Sequence, residues 1–319
     1  SAMVASEVEI SGRPTRPKAI LIAGPTASGK SALAMRLASE VGGVVNNADS
    51  MQVYRDLEVL TARPSEADTA AVRHELYGVI GAGDAYSVGR YVADAAVHYK
   101  AAREAGAVAI FVGGTGLYFR GLLEGLSPVP AIDPAIRQKW RDAAAVDGGA
   151  ALHDALKVRD GEMARRLSPT DVQRLIRALE VIESTGRSLA FWQRQPGTPV
   201  VPEQEAVKLV ADVDRAQLYR RSDDRFRAMV KGGALFEVAR LQAMQLDPGL
   251  PIMRALGVRP LIAYIEGQWS LEEAIVRAQT DTRQYIKRQL TWLRSNIIAW
   301  KRVDLFDVKT NISLQDIFN

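Results

Sequence analysis

The sequence predicts an α/β fold, a parallel sheet flanked by helices and carrying an all-helical insertion, and three observations predict it. Short continuous apolar runs recur, Lys18 to Ala23 (KAILIA) and Ala107 to Val112 (AVAIFV) being the clearest. Such runs mark strands buried on both faces. Apolar residues at helical spacing follow the first run: Leu33, Leu37 and Val41, with Ala34 and Ala38 beside them. Strands that alternate with helices imply a parallel sheet. Between Pro128 and Pro199, by contrast, the pattern is helical and rich in arginine, with no strand run.

Taken in order, residues 1–17 mix small, charged and proline residues without periodicity and predict a disordered tail. Within it, Ser1-Ala2 ahead of Met3 reads as a cloning remnant. KAILIA is the first strand, and a glycine-rich turn leads from it into the first helix. Val44-Val45 forms a second strand that runs into Asn46-Asn47-Ala48-Asp49, and AVAIFV forms a third that ends at Gly113-Gly114-Thr115-Gly116. Ser127-Pro128-Val129-Pro130 and Gln195-Pro196-Gly197-Thr198-Pro199 bound the insertion. The core then comprises 18–127 and 200–319, and the helical insertion 128–199. Inside the insertion, Thr170-Asp171-Val172-Gln173 has the pattern of a capping box opening a helix that Gly186 ends. Val207 to Val213 (VKLVADV) is a strand that rejoins the sheet. Helices follow to about Trp300, including a long amphipathic one from Leu271.

Composition removes several chemistries. The 319 residues include no cysteine, which excludes disulfides, zinc–thiolate sites and thiol nucleophiles. The three histidines, His74, His98 and His153, are scattered, so a clustered histidine metal site is not expected. No apolar run approaches the roughly 20 residues that span a bilayer, and no signal-peptide pattern opens the chain. A cytoplasmic protein without a membrane partner is expected. The net charge of +4 leans toward a polyanionic partner.

Gly24-Pro25-Thr26-Ala27-Ser28-Gly29-Lys30-Ser31 matches G-x-x-x-x-G-K-[ST] between a buried strand and a helix. In such a loop successive backbone N–H groups turn inward onto phosphate oxygens. The helix N-terminus adds partial positive charge, Lys30 a full one, and the Ser31 hydroxyl a hard oxygen for Mg²⁺. This predicts a P-loop NTPase-like core that binds a diphosphate or triphosphate. The strand that would end in a second magnesium-holding acid ends in Gly113-Gly114 instead. The nearest acid is Asp49. Ligands of open α/β sheets sit at the carboxyl ends of the strands, which gathers Asp49, Thr115 and the loop around one crevice.

At these residues the sequence resembles the tRNA dimethylallyltransferase (tRNA isopentenyltransferase) family, from Lys18 to about Trp300. The resemblance is carried by GPTASGKS at 24–31, DSMQVYR at 49–55, TARP at 61–64, GGTGLYFRGLLEGLSP at 113–128, QRLIRALEV at 173–181 and TRQYIKRQLTWLR at 282–294. It implies that the loop holds the diphosphate of dimethylallyl diphosphate, with Mg²⁺ on Ser31 and Asp49 as general base toward an adenine amine. It also implies that Asp49, Ser50, Met51, Gln52 and Thr115 meet the target base in a tRNA anticodon stem-loop. Two stretches would grip the tRNA, Gln173-Arg174-Leu175-Ile176-Arg177 and Arg254-Ala255-Leu256-Gly257-Val258-Arg259. Arg225 matches an arginine that the family places near the diphosphate, and a monomer is expected. Three positions depart from the family pattern: Arg63 stands where Lys is usual, which implies a bidentate contact, and Glu75 and Gly78 stand where a second His and an Asp are common.

Basic residues also gather on helical faces. Arg174 and Arg177 share one side of the insertion helix, and Arg283, Lys287 and Arg294 one side of the last helix. Ile275, Thr282, Ile286, Leu290, Leu293 and Ile297 form the buried side of the latter, and Trp192, Tyr285 and Trp292 read as core. Two basic faces beside a phosphate loop predict contacts to an RNA backbone. The residues alone leave three other readings open: an ATP-dependent small-molecule kinase, an adenylate isopentenyltransferase, and a non-catalytic RNA-binding regulator.

Overall fold

A computed structural model describes residues 17–306. Apart from Pro17, the tail expected over 1–17 lies outside the described residues. The chain divides into two compact units, Ser1–Leu123 with Val200–Asn319, and Glu124–Pro199.

The first unit is built on six strands: β1 (Ala19–Ala23), β2 (Gly43–Asn47), β3 (His74–Glu75), β4 (Val108–Gly113), β5 (Ala206–Asp212) and β6 (Lys301–Asp304). Their order is β3-β2-β4-β1-β5-β6 and every pairing is parallel. β1 sits between β4 and β5, with Ile22 opposite Val112 on one side and Leu209 on the other. All five residues of β1 are fully buried, as its unbroken apolar run requires. The alternation of side chains splits the strand between two cores. Ile20 and Ile22 join Leu33 and Leu37 of α1 (Lys30–Val41), while Leu21 joins Tyr91 and Phe119 on the opposite face. Each such side chain contributes about 1.5–3 kcal/mol by leaving water.

Two edge strands escaped the sequence pattern for one reason. In β6 only Val303 is buried, and β3 is two residues long, so neither presents an apolar run. Helix α1 connects β1 to β2, α2 (Glu66–Ala71) connects β2 to β3, α3 (Val88–Glu104) connects β3 to β4, and α4 (Gly116–Glu124) follows β4. The second unit holds α5 (Pro134–Arg159, broken at Gly148), α6 (Gly161–Arg166), α7 (Val172–Thr185) and α8 (Leu189–Gln193). It has its own core around Trp140, Leu156, Leu175 and Leu179. After β5 the chain forms α9 (Arg215–Met229), α10 (Leu235–Ala243), α11 (Val258–Ile265) and α12 (Leu271–Asn296). A capping box between Ser270 and Glu273 opens α12.

The capping box expected at Thr170 does not form. Asp171 is the N-cap of α7 and makes no side-chain cap bond, because it faces Arg174 at 3.4 Å, while the Thr170 hydroxyl pairs with that of Ser168 at 2.9 Å. Gly186 ends the helix as expected.

Candidate functional site

The phosphate loop leaves β1 at the carboxyl edge of the sheet and delivers Lys30 as the first residue of α1. Gly24 is buried and its amide donates to Gly113 O at 3.2 Å, which ties the loop to the end of β4. Pro25 O accepts from Ser28 N and from Lys30 Nζ, each at 3.2 Å, so the lysine folds back over its own loop. Thr26, Ala27, Ser28, Gly29, Lys30 and Ser31 line a cavity of about 460 Å³. Asp49, Gln52, Arg221, Asp224 and Arg225 close its other sides. Unsatisfied amides at the start of α1 and three basic side chains make this an anion cradle.

Asp49 lies just past β2 in a turn held by its own side chain. Its Oδ1 accepts from Met51 N at 2.8 Å and Gln52 N at 3.3 Å, and its amide donates to Asn47 Oδ1 at 2.8 Å. Oδ2 carries no hydrogen bond among the described residues. Thr115 fixes the turn from the β4 side, its hydroxyl accepting from Ser50 N at 2.9 Å. Gln52 Nε2 donates to Thr61 O at 2.8 Å and Ala62 O at 3.2 Å, which draws the TARP segment to the same place.

A second cavity of about 320 Å³ shares Thr26, Asp49, Thr61 and Arg225 with the first. Its remaining walls are mostly apolar, with Met51, Leu60, Met229, Leu256 and Tyr285, and it also meets Ser50, Ala255 and the exposed arginines Arg254 and Arg288. One carboxylate therefore stands at the junction of a cationic chamber and an apolar one. Burial draws the Lys30 ammonium down to about 8, with Asp49 opposing the shift and Arg225 adding to it. Burial and the neighbouring Arg221 lower Arg225, again against Asp49. Burial raises the Tyr285 phenol, and the Asp49 charge raises it further.

The donor set suits a magnesium ion that arrives with its anion. Ser31, Asp49 and Asp224 offer hard oxygens to the first cavity, and the Ser28 hydroxyl, also in its lining, is buried without a partner. Among the described residues no three acidic or histidine side chains gather to cage a metal. Mg²⁺ characteristically takes one or two protein oxygens and fills its shell with phosphate and water.

Several expected contacts fall differently. In the second unit Gln173, Arg174 and Arg177 are exposed, but Leu175 and Ile176 are buried. Those two lie on the apolar side of α7, and their side chains pack into the core of the second unit. Arg254 and Arg259 are exposed, whereas Gly257 and Val258 are buried at the start of α11, and Ala255 shows only its small face to the apolar cavity. Arg283 is removed from the basic face of α12 because its Nη1 donates to Asp223 Oδ1 at 2.7 Å. Arg63 does not reach either cavity. Its Nη2 donates to Arg55 O at 3.4 Å and lies 3.5 Å from Glu58, so the guanidinium is engaged by the protein's own groups. Tyr285, read as core, is a cavity wall. Arg288, Arg221, Asp224, Met229, Leu60 and Gln289 were not singled out, although Arg288 and Gln289 lie inside the TRQYIKRQLTWLR motif.

Known proteins share this chain's sequence and fold. A family profile described as IPP transferase matches residues 52–296, and one described as isopentenyl transferase matches residues 17–79. The chain is 49% identical over 287 residues to the tRNA dimethylallyltransferase of Azorhizobium caulinodans, covering 90% of this chain and 92% of that one. It is 52% identical over 280 residues to that of a Bradyrhizobium species, covering 88% and 92%. Among solved structures, a tRNA isopentenylpyrophosphate transferase from Bacillus halodurans superposes with a TM-score of 0.65 at 30% identity, over 91% of this chain and 90% of that chain. A eukaryotic dimethylallyltransferase captured acting on tRNA superposes with a TM-score of 0.81 at 25% identity, over 91% and 74%. With a family profile spanning most of its length and relatives near half identity end to end, the chain belongs to the IPP transferase family, the tRNA dimethylallyltransferases.

Proposed function

We propose that the protein transfers the dimethylallyl group from dimethylallyl diphosphate to N6 of the adenosine immediately 3′ of the anticodon in tRNA, releasing diphosphate. The observation that carries this is the position of Asp49, shared by a cationic chamber and an apolar one. The diphosphate fits the first, the adenine the second, and the allylic carbon the junction between them.

The chemistry follows from weak partners. The adenine amine is a poor nucleophile because its lone pair is delocalised into the ring. An allylic C–O bond compensates by loosening toward a resonance-stabilised cation. The protein's main task is then to hold charge as it grows on the leaving diphosphate, through the loop amides, Lys30 and Arg225. Ser31, with Asp49 or Asp224, would hold Mg²⁺, which supplies further charge neutralisation on the diphosphate when bound. Asp49 accepts the N6 proton through its free Oδ2 as the C–N bond forms, a contribution of roughly 10²–10⁴-fold. Met51, Leu60, Met229 and Leu256 keep water from the developing cation, and the extruded adenine closes the remaining mouth.

The RNA partner is the anticodon stem-loop. Gln173, Arg174 and Arg177 would hold it from the helical unit, Arg254 and Arg259 from the core, and Asp49 to Gln52 with Thr115 would meet the base. One chain carries every group named, so a monomer suffices. A tRNA substrate supports a cytoplasmic setting, and among the described residues no helix is long and apolar enough to cross a bilayer.

The test is prenylation with radiolabelled dimethylallyl diphosphate, Mg²⁺ and unmodified tRNA. Label in tRNA, mapped to that adenosine, is expected. Label on free AMP, or turnover of ATP instead, would overturn the reading.

A further inference from the structure

Gln289 is a polar side chain in the interior of the first unit, with 7% of its surface exposed, on the buried side of α12. None of the chemistry above uses it. Its Oε1 accepts from the Thr26 backbone amide at 3.1 Å and from the Thr26 hydroxyl at 3.4 Å. Its Nε2 donates to Gly114 O at 3.3 Å. A single side chain thus bonds the leading half of the phosphate loop to the turn after β4. The contact also accounts for a glycine: a Cβ at Gly114 would overlap Nε2 of Gln289.

Beyond the bond from Gly24 N to Gly113 O at the root of the loop, no other side chain among the described residues hydrogen-bonds both the phosphate loop and the turn after β4. Thr115, next to Gly114, holds the Asp49 turn through Ser50 N at 2.9 Å. Gln289 therefore spans the two halves of the reaction, the loop on one side and the Asp49 turn on the other. Its bond also occupies the Thr26 amide, as Pro25 O occupies that of Ser28, which leaves the amides of Ala27, Gly29, Lys30 and Ser31 for the anion.

We propose that Gln289 is a positioning residue that sets the phosphate loop in register with the Asp49–Thr115 turn, and so sets where the leaving diphosphate lies relative to the general base. The role rests on the prenyl-transfer reading. A misplacement of about 1 Å costs on the order of a hundredfold in rate when reacting groups must be aligned. The allylic cation also has a second acceptor, water, whose attack needs no alignment with Asp49. Loss of the register should therefore slow transfer more than it slows capture by water.

The test uses the full chain with Gln289→Met, which keeps the length but makes none of these bonds, and Gln289→Glu, which can accept from Thr26 but not donate to Gly114. Transfer to tRNA and release of labelled dimethylallyl alcohol are measured together, with tRNA binding and thermal unfolding as controls. In Gln289→Met, kcat should fall tenfold or more and the alcohol share should rise, while tRNA affinity stays within twofold. Gln289→Glu should fall between it and the wild type. Wild-type partition and kcat in Gln289→Met would overturn the proposal. So would a loss that tracks only a fall in folded protein. Failure of the wild type to label tRNA counts against the functional reading instead. The register is then read by calorimetry with inorganic diphosphate, where Gln289→Met should weaken binding severalfold and an unchanged affinity would overturn it.

Discussion

Arg63 occupies the space that a side chain at Gly78 would need: a Cβ there would overlap Nη1 of the guanidinium. Two of the positions at which the sequence is expected to depart from the family pattern are therefore in contact. The larger basic residue lies over backbone because its neighbour has no side chain. The guanidinium bonds Arg55 O at 3.4 Å and faces Glu58 at 3.5 Å, on the outer side of the segment whose Thr61 and Ala62 line the cavities.

Gly78→Ala should accordingly destabilise the protein by about 1–3 kcal/mol, through overlap and through its φ of 59°. Arg63→Lys in the same chain should recover the overlap but not the backbone strain. Chemical denaturation of both single variants and the double variant reads this as a coupling, and strictly additive losses would contradict it.

Asp49→Asn separates chemistry from architecture. Asparagine keeps an oxygen for the Met51 and Gln52 amides but cannot take the N6 proton. Transfer should fall roughly 10²–10⁴-fold with little change in unfolding midpoint or tRNA affinity. Asp49→Ala, which removes the turn's acceptor as well, should lose both rate and tRNA affinity. Equal behaviour of the two variants would mean that the turn bonds contribute nothing.

The lowered Lys30 gives the site a pH dependence of definite sign. With its pKa at about 8 in the free protein, the lysine is charged below that pH and increasingly neutral above it. A bound diphosphate favours the charged form and raises the pKa. Affinity for an unreactive allylic diphosphate analogue should therefore be constant below pH 8 and weaken above it, by up to about tenfold per pH unit. Binding at pH 9 should take up a proton, visible by calorimetry in buffers of different ionisation enthalpy. Lys30→Arg should abolish both effects, since arginine stays charged throughout. Equal affinity at pH 7.5 and 9.5 for the wild type would refute this.

Arg174 and Arg177, adjacent on α7, should not respond alike to charge reversal. Arg174 is exposed and paired only with Asp171, so Arg174→Glu should weaken tRNA binding at low salt and leave stability within about 0.5 kcal/mol. Arg177 lies 3.9 Å from Glu180, a carboxylate only 4% exposed that Arg137 also faces at 3.9 Å. Arg177→Glu should lower the unfolding midpoint as well as tRNA affinity, because it sets two like charges at a buried site. Salt titration of binding, run beside thermal unfolding, distinguishes them.

The sequence by itself determined the parallel α/β sheet, the phosphate loop and the acid at the end of β2. These rest on local rules: buried strands read as apolar runs, amides cradle phosphate only where a strand meets a helix through glycines, and strand ends carry ligands. Family resemblance added the substrate pair and Arg225. Burial, by contrast, is a property of neighbours. Leu175 and Ile176, or Val258, sit inside motifs beside exposed arginines, and only the packing of α7 and α11 shows that their side chains are spent on cores. Arg283 looked like a surface charge until Asp223, from a helix distant in sequence, was placed 2.7 Å away. The short strands β3 and β6 carry no pattern of their own and exist because a neighbouring strand offers them unpaired amides and carbonyls. Tertiary structure alone turned Tyr285 into a cavity wall, gave Gly78 to Arg63, and brought Gln289 to Thr26 across 263 residues of chain. Long-range contacts of this kind leave no periodicity in the sequence, because each is a single pair whose spacing is set by the fold.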